Sequence, residues 1–275
     1  MHILVTNDDG VQAPGLLALA QAMRQIGDVT IVAPERNWSG GGHVKTIDRP
    51  LRVRPVKLVD GTSALSSDGA PSDCVALALL GLVEQPVNLV VSGINTMANL
   101  GHDVTYSGTV TAAMEAIIWG VPAIAFSLDG SRRDPNEMDF TAASRIARLI
   151  VRLFSQRKLP KGILLNVNVP YLPIDEIKGI RNTRQGLRLY RDRLDKRQDP
   201  RGHDYYWIGG DFPTGKDEKG TDIGALARDY VSVTPLQLDL TAYPALASLG
   251  KWDWPPDSTA QANLPTEPEQ LAVTA

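Results

Sequence analysis

The sequence predicts a doubly wound α/β protein with a mostly parallel sheet. Two observations carry this. Short apolar runs rich in β-branched residues are separated by segments of helical period, and the runs are continuous rather than alternating in polarity. A strand that is apolar on both faces is one covered by helices on both sides, as in parallel sheets. Strand, helix, strand in succession is the parallel crossover unit.

The elements follow in order along the chain. HILVT (2–6) and VTIVA (29–33) read as strands. Between them, Leu16, Leu19, Ala20, Met23 and Ile26 share one helical face, and Gly27 is placed to stop the helix. SDCVALALLGLV (72–83) reads as a buried helix begun by Pro71 and Asp73, and NLVVSG (88–93) as a strand. TVTAAMEAIIWG (109–120) is a helix with Val110, Ala113, Met114 and Ile117 inward, followed by the strand PAIAFSL (122–128). TAASRIARLIVRLF (141–154) is the clearest amphipathic helix, setting Ile146, Leu149, Ile150 and Leu153 against Arg145, Arg148 and Arg152. GILLNVNVP (162–170) closes the regular section, so the core is expected over residues 1–170.

From 171 to 245 the character changes to an appendage. RNTRQGLRLYRDRLDKRQDPRGHDYYWIGG alternates basic and aromatic residues between turn signals, as an exposed hairpin does. DYVSVTPLQLDLT (229–241) adds one extended piece. Residues 246–275 are polar and proline-punctuated, and a disordered tail is expected there.

Composition narrows the classes. With 275 residues, 43% hydrophobic and 21% charged, the chain is an ordinary globular one. A net charge of −3 argues against a nucleic-acid polymer as partner. No apolar run is long enough to span a bilayer, so no membrane partner is expected. The lone Cys74 excludes an internal disulfide and reads as a small buried hydrophobe. No secretory leader pattern opens the chain, and a cytoplasmic location is expected.

Ligands of open α/β sheets bind beyond the carboxyl ends of the strands. Past the first strand stand Asn7, Asp8, Asp9 and Gly10; past the second, PERNWSGGG with Ser39; past the 88–93 strand, GINTMANLG with Asn95 and Asn99. Two carboxylates, a hydroxyl and a carboxamide are hard oxygen donors suited to Mg²⁺ or Mn²⁺. Such a cation explains why two like charges stand side by side. Ser107, Gly108 and Thr109 open the next helix, where free N–H groups and the dipole favour an anion. A divalent cation beside an anion pocket points to metal-assisted phosphoester hydrolysis.

Plainer roles exist for each residue. Asp caps helices, Asn forms turns, and Ser107 or Thr109 can cap while binding phosphate. Of the four histidines, His2 reads as structural and His203 lies in the appendage. His43 and His102 fall in loops near the expected site, where a solvated role is simplest.

Taken together, NDDG, PERNWSG, DGAPSDCV (68–75), SGIN with NLG (92–101), YSGTV (106–110), LNVNVP (165–170) and YVSVTPLQLDLT resemble the SurE family of metal-dependent nucleotidases. They run in order from the first residues to about 241. The resemblance implies a Rossmann-like core whose C-terminal part exchanges elements between subunits, in a homodimer or homotetramer. It implies a phosphomonoesterase acting on nucleoside 5′- and 3′-monophosphates, with short polyphosphate as a further substrate. It implies one divalent ion per subunit, Mg²⁺ or Mn²⁺, and with such an ion direct attack by metal-activated water is expected. Position by position, it implies Asp8, Asp9, Ser39 and Asn95 as metal ligands. Asn95, Ser107, Gly108 and Thr109 become phosphate contacts, and Asp8, Asp9, Asn95 and Ser107 the catalytic set. Trp38 before the serine, Gly41 and Gly42 after it, and Thr96-Met97-Ala98 after SGIN depart from the family pattern and bear on pocket shape.

Three other readings make different demands. A signalling receiver needs an Asp after its third strand and a Lys after its fifth, where this chain has Asn95 and Asp129. A non-catalytic nucleotide-binding module would hold nucleotide without releasing phosphate and would tolerate chelators. A haloacid-dehalogenase-type phosphatase would want Asp-x-Asp, a spacing NDDGV lacks.

Overall fold

A computed structural model describes residues 1–130, 133–157, 159–252 and 254. Along the chain come β1 (His2–Thr6), α1 (Pro14–Arg24), β2 (Asp28–Pro34), β3 (Val53–Lys57), β4 (Ser63–Ser67) and α2 (Pro71–Leu77). Then follow β5 (Leu89–Asn95), α3 (Gly108–Ile118), β6 (Ala123–Asp129), α4 (Thr141–Ser155) and β7 (Ile163–Pro170). The remainder is β8 (Ile180–Asn182), β9 (Arg188–Gln198), β10 (Asp204–Gly215), α5 (Asp222–Leu226), β11 (Val231–Gln237) and α6 (Tyr243–Leu249).

Among the described residues, nine strands form one sheet in the order β3-β4-β2-β1-β5-β6-β7-β11-β8. The central pairings from β4 to β7 are parallel, while β3 and β11 join antiparallel. The alternation of side chains explains the continuous apolar runs. Ile3 and Val5 of β1 pack with Leu16, Leu19 and Met23 of α1 and with Ile146 and Ile150 of α4. Leu4 between them packs with Val75 of α2 and Val110 and Ala113 of α3 on the other face. Leu89 and Val91 against Val90, and Ile124 and Phe126 against Ala123 and Ala125, repeat the division. Each large side chain so buried stabilises by roughly 1.5–3 kcal/mol relative to exposure.

This winding makes a switch point. From β1 the chain crosses through α1 to β2 on one side, then returns through α2 on the opposite face to β5 on the other side of β1. The carboxyl ends of β1 and β5 therefore flank the crevice where such sheets bind ligands.

Several expectations are corrected. Helix α1 stops at Arg24 with Gln25 as its cap. Gly27 does not end it; a Cβ there would lie 2.1 Å from the Met1 carbonyl oxygen, so the residue is small for close approach. The 72–83 segment is buried only in its first half. It continues through a π turn over Ala78–Leu82, broken at Gly81 (φ 120), and Leu80 is 65% exposed. In α4 the buried side is Ala142, Ala143, Ile146, Ala147, Ile150 and Val151. Leu149 and Leu153 are instead 44% and 41% exposed. Met114 of α3 is only partly buried.

The predicted hairpin is present: β9 and β10 pair antiparallel and expose Leu194, Tyr206, Trp207 and Ile208. The sheet does not end at Pro170, however. β11 pairs with β7, and Leu236 opposite Leu164 joins the core on the α2–α3 side. Helix α6 runs across the expected 245/246 boundary, and most of the expected tail lies outside the described residues. Among the described residues no helix is long and apolar enough to cross a membrane.

Candidate active site

The turn after β1 is built for two adjacent carboxylates. Asn7 is buried, and its amide donates to the Gly10 carbonyl at 2.9 Å. Gly10 takes φ 106, in the left-handed region, so the backbone reverses immediately after Asp9. The Asp8 carbonyl accepts the Trp38 N–H at 2.8 Å, which ties the loop after β2 to the same turn.

The Asp8 side chain lies against the start of α3. The Thr109 hydroxyl donates to Asp8 Oδ1, and backbone N–H groups of Gly108 and Thr109 add support. A Cβ on Gly108 would stand 2.6 Å from the Asp8 Cβ, so only glycine fits there. Burial pushes the Asp8 carboxyl above its ordinary value, and the Thr109 hydrogen bond opposes this. Asp9, half-buried, is raised to about 7 by burial first and the charge of Asp8 second.

Asp9 Oδ2 is buried and meets no hydrogen-bond donor among the described residues. An acceptor-only oxygen left so, beside a second carboxylate, is costly unless a cation pairs with it. The residues therefore fit a hard divalent ion. Among the described residues no group of three His, Cys, Asp or Glu side chains is placed for a metal. Neutral oxygens would complete a set begun by these two carboxylates, as hard divalent cations accept.

Asn95 ends β5 and is 8% exposed. Its Nδ2 donates to the Met97 carbonyl at 2.7 Å, which leaves Oδ1 as the end able to hold a cation. Ser39 is exposed, and its N–H donates to Asn37 Oδ1 at 2.6 Å. It joins the group through its neighbour Trp38 rather than by a side-chain contact. Ser107 is the N-cap of α3, accepting the Val110 N–H at 3.1 Å. The Gly42 N–H donates to the Tyr106 carbonyl at 3.0 Å, and the Thr111 hydroxyl donates to the Gly42 carbonyl at 3.0 Å. The glycine loop thus lies over the first turn of α3. Beside Asp9 opens a cleft of about 280 Å³ lined by Gly10 to Pro14, Glu35, Asn37, Thr96 and Asn136.

So Asp8, Gly108 and Thr109 touch directly, with Asp9 and Ser107 next to them in the chain; Asn95 ends the neighbouring strand. Thr109, expected to meet phosphate, has its hydroxyl on Asp8. Asn99 proves structural. Its N–H reaches Asn168 Oδ1 at 2.7 Å, its Nδ2 reaches the Ser127 hydroxyl at 2.8 Å, and its carbonyl accepts from Asn166 at 2.8 Å. The two asparagines of LNVNVP, inside an otherwise apolar strand, were the available signal. His2 bonds the Thr30 hydroxyl at 2.9 Å, His102 is exposed, and His203 pairs with Asp199 at 3.2 Å. His43 is not simply solvated; it bonds Glu115 at 2.9 Å. Glu115, 2% exposed, carries no sequence signal because it falls among apolar residues of a helix. Cys74 is fully buried, and burial pushes its thiol above its ordinary value, away from nucleophilic use.

The chain is similar to known proteins over most of its length. The sequence model of the family described as "Survival protein SurE" matches residues 3–192. The chain is 50% identical over 254 residues to a protein of Chloroflexus aggregans named 5′-nucleotidase SurE, covering 92% of this chain and all of that one. It is 54% identical over 242 residues to the protein of that name from Herpetosiphon aurantiacus, covering 88% and 94%. Its fold is similar to the crystal structure of the SurE protein from Aquifex aeolicus, with a TM-score of 0.76 and 42% identity over 90% of this chain and 98% of that one.

Proposed function

The chain belongs to the survival protein SurE family, and on that premise we propose that it is a 5′-nucleotidase releasing phosphate from nucleoside monophosphates. The observation that carries the reading is the pair Asp8 and Asp9 at the switch point. The first is held on the start of α3, and the second keeps a buried oxygen without a donor.

Asp8, Asp9, Ser39 and Asn95 would hold one divalent ion, Mg²⁺ or Mn²⁺. Such an ion lowers the pKa of bound water and neutralises charge developing on the phosphate. The protein's own groups do the rest. Thr109 and the Gly108 amide fix the Asp8 carboxylate, so its position is set before substrate arrives. Ser107, Gly108, Thr109 and Asn95 would receive the phosphate at the positive end of α3. Asp8, Asp9, Asn95 and Ser107 form the catalytic set. The cleft beside Asp9 is open and supports entry of a substrate larger than phosphate alone.

Finer features belong to the same proposal. Nucleoside 3′-monophosphates and short polyphosphate are further substrates. Residues 1–170 carry the site, and 171–245 supply subunit contacts in a homodimer or homotetramer, consistent with the apolar side chains exposed on β9 and β10. The location is cytoplasmic.

The test is phosphate release from AMP. Mn²⁺ or Mg²⁺ should support it, EDTA should abolish it, and Asp8→Asn should lower turnover by roughly 10²–10³-fold, as loss of a charge-stabilising group does. Nucleotide binding without phosphate release, unaffected by EDTA, would replace this reading with a non-catalytic module.

A further inference from the structure

We propose that Glu115 is a positioning residue for this hydrolysis, acting from inside α3 to hold the 42–46 strap and, through it, the loop that carries Ser39. The proposal rests on the nucleotidase reading for its kinetic consequence and on geometry for the rest.

Glu115 is 2% exposed and sits two turns beyond the start of α3. Its carboxylate accepts from Trp119 Nε1 at 2.8 Å, His43 Nε2 at 2.9 Å and Lys45 Nζ at 3.1 Å. Two of the three partners come from the strap rather than the helix. The Lys45 and His43 side chains are 52% and 30% exposed, so their heads bend inward to an acid the core would not otherwise tolerate. Burial alone would raise Glu115, yet these donors together hold it at about 2, so the buried group is a carboxylate rather than a neutral acid.

The strap needs such a hold. Between Trp38 and Thr46 the chain has no strand or helix. Gly40 and Gly42 take φ 78 and 62, with Gly41 between them, a run with much conformational freedom to lose. Among the described residues, the other side-chain hydrogen bonds to residues 42–46 also come from α2 or α3. Thr111 donates to the Gly42 carbonyl, Ser72 donates to the Val44 carbonyl, and Asp73 accepts the Thr46 N–H and hydroxyl at 2.9 and 2.6 Å. At the loop's far end the Trp38 N–H is on the Asp8 carbonyl. Ser39 therefore hangs between an anchor on Asp8 and a strap held first at Gly42, by Tyr106 and Thr111, and then at His43 and Lys45 by Glu115. The helix whose first turn would bind phosphate also sets the loop that faces it.

A loop ordered before substrate arrives removes an ordering cost from binding, so loosening it weakens apparent affinity in proportion to the competent fraction that remains. The test uses the full chain and Glu115→Gln, which keeps the shape and loses the charge. If the competent fraction falls to about 10–20%, KM for AMP at saturating Mn²⁺ rises about 5–10-fold while kcat stays within about twofold. In the metal-free protein, hydrogen exchange of residues 38–46 should accelerate by about tenfold or more, with α4 unchanged. Lys45→Ala, which leaves α3 intact, should move both readouts the same way. Unchanged exchange in both variants overturns the clamp, and faster exchange with unchanged KM overturns the positioning role. Protection lost equally in α4 would show a merely structural acid and also overturn it. Wild-type protein that releases no phosphate would refute the nucleotidase reading instead, and the exchange result would still decide the clamp.

Discussion

Gly108→Ala should separate stability from activity. At the first position of a helix with ordinary φ, replacing glycine by alanine normally helps folding, by up to ~1 kcal/mol in a helix interior. Here the added Cβ would stand 2.6 Å from the Asp8 Cβ, 3.2 Å from its carboxyl carbon and 3.0 Å from Oδ2. Carbon contacts settle at about 3.5–4.0 Å, so either Asp8 or the helix start must move by roughly 1 Å. Overpacking of this kind costs about 1–3 kcal/mol, which the propensity gain partly offsets, leaving a net loss of about 0–2 kcal/mol. A displacement near 1 Å at a catalytic carboxylate can cost roughly 10²-fold in rate. The expected result is a melting temperature lowered by a few degrees at most, with kcat/KM for AMP in Mn²⁺ down by about two orders of magnitude. Thermal unfolding and phosphate release on the same preparation measure both. A variant within about threefold of wild-type kcat/KM would refute the claim that the Asp8–Gly108 contact sets the site.

Two more outcomes follow from the carboxylates. Asp9 is raised to about 7, above its value in the unfolded chain, so the folded state holds its proton more tightly. The metal-free protein should therefore be most stable below about pH 4 as far as this group is concerned, losing that contribution as pH rises to about 7. Asp9→Asn should flatten that pH slope in chemical denaturation while removing activity; an unchanged slope would mean that Asp9 is not strained by burial. Thr109→Val keeps shape but deprives Asp8 Oδ1 of its donor. Leaving a buried acceptor unsatisfied costs about 1–3 kcal/mol, and Mn²⁺ affinity measured by calorimetry should weaken as well. Unaltered stability and affinity would show that Thr109 does not hold Asp8.

The parallel sheet was readable from HILVT, VTIVA and PAIAFSL because burial on both faces leaves no polar side to alternate. The candidate donors were readable because they stop those runs abruptly, as Asn7-Asp8-Asp9-Gly10 does. The ribbon of β9 and β10 was readable from its turn signals and mixed polarity. Less visible was the inward face of α4, where small Ala143 and Ala147 are buried and Leu149 and Leu153 are not, since burial depends on which neighbours cover each position and not on side-chain size alone. The return of β11 to the core sheet also depends on a pairing across some seventy residues, from Ser232 with Asn168 to Gln237 with Ile163, which no local pattern encodes.

By itself, then, the sequence determined the fold class, the crevice end of the sheet and the family, because periodicity and ordered motifs are local properties of the chain. Only the tertiary structure decided which partner each polar residue takes. Thr109 turned to Asp8, Asn99 to Asn168 and Ser127, and His43 and Lys45 to a buried Glu115. The physical reason is that a polar group inside a protein must find a partner, and the one within reach is chosen by packing across distant segments.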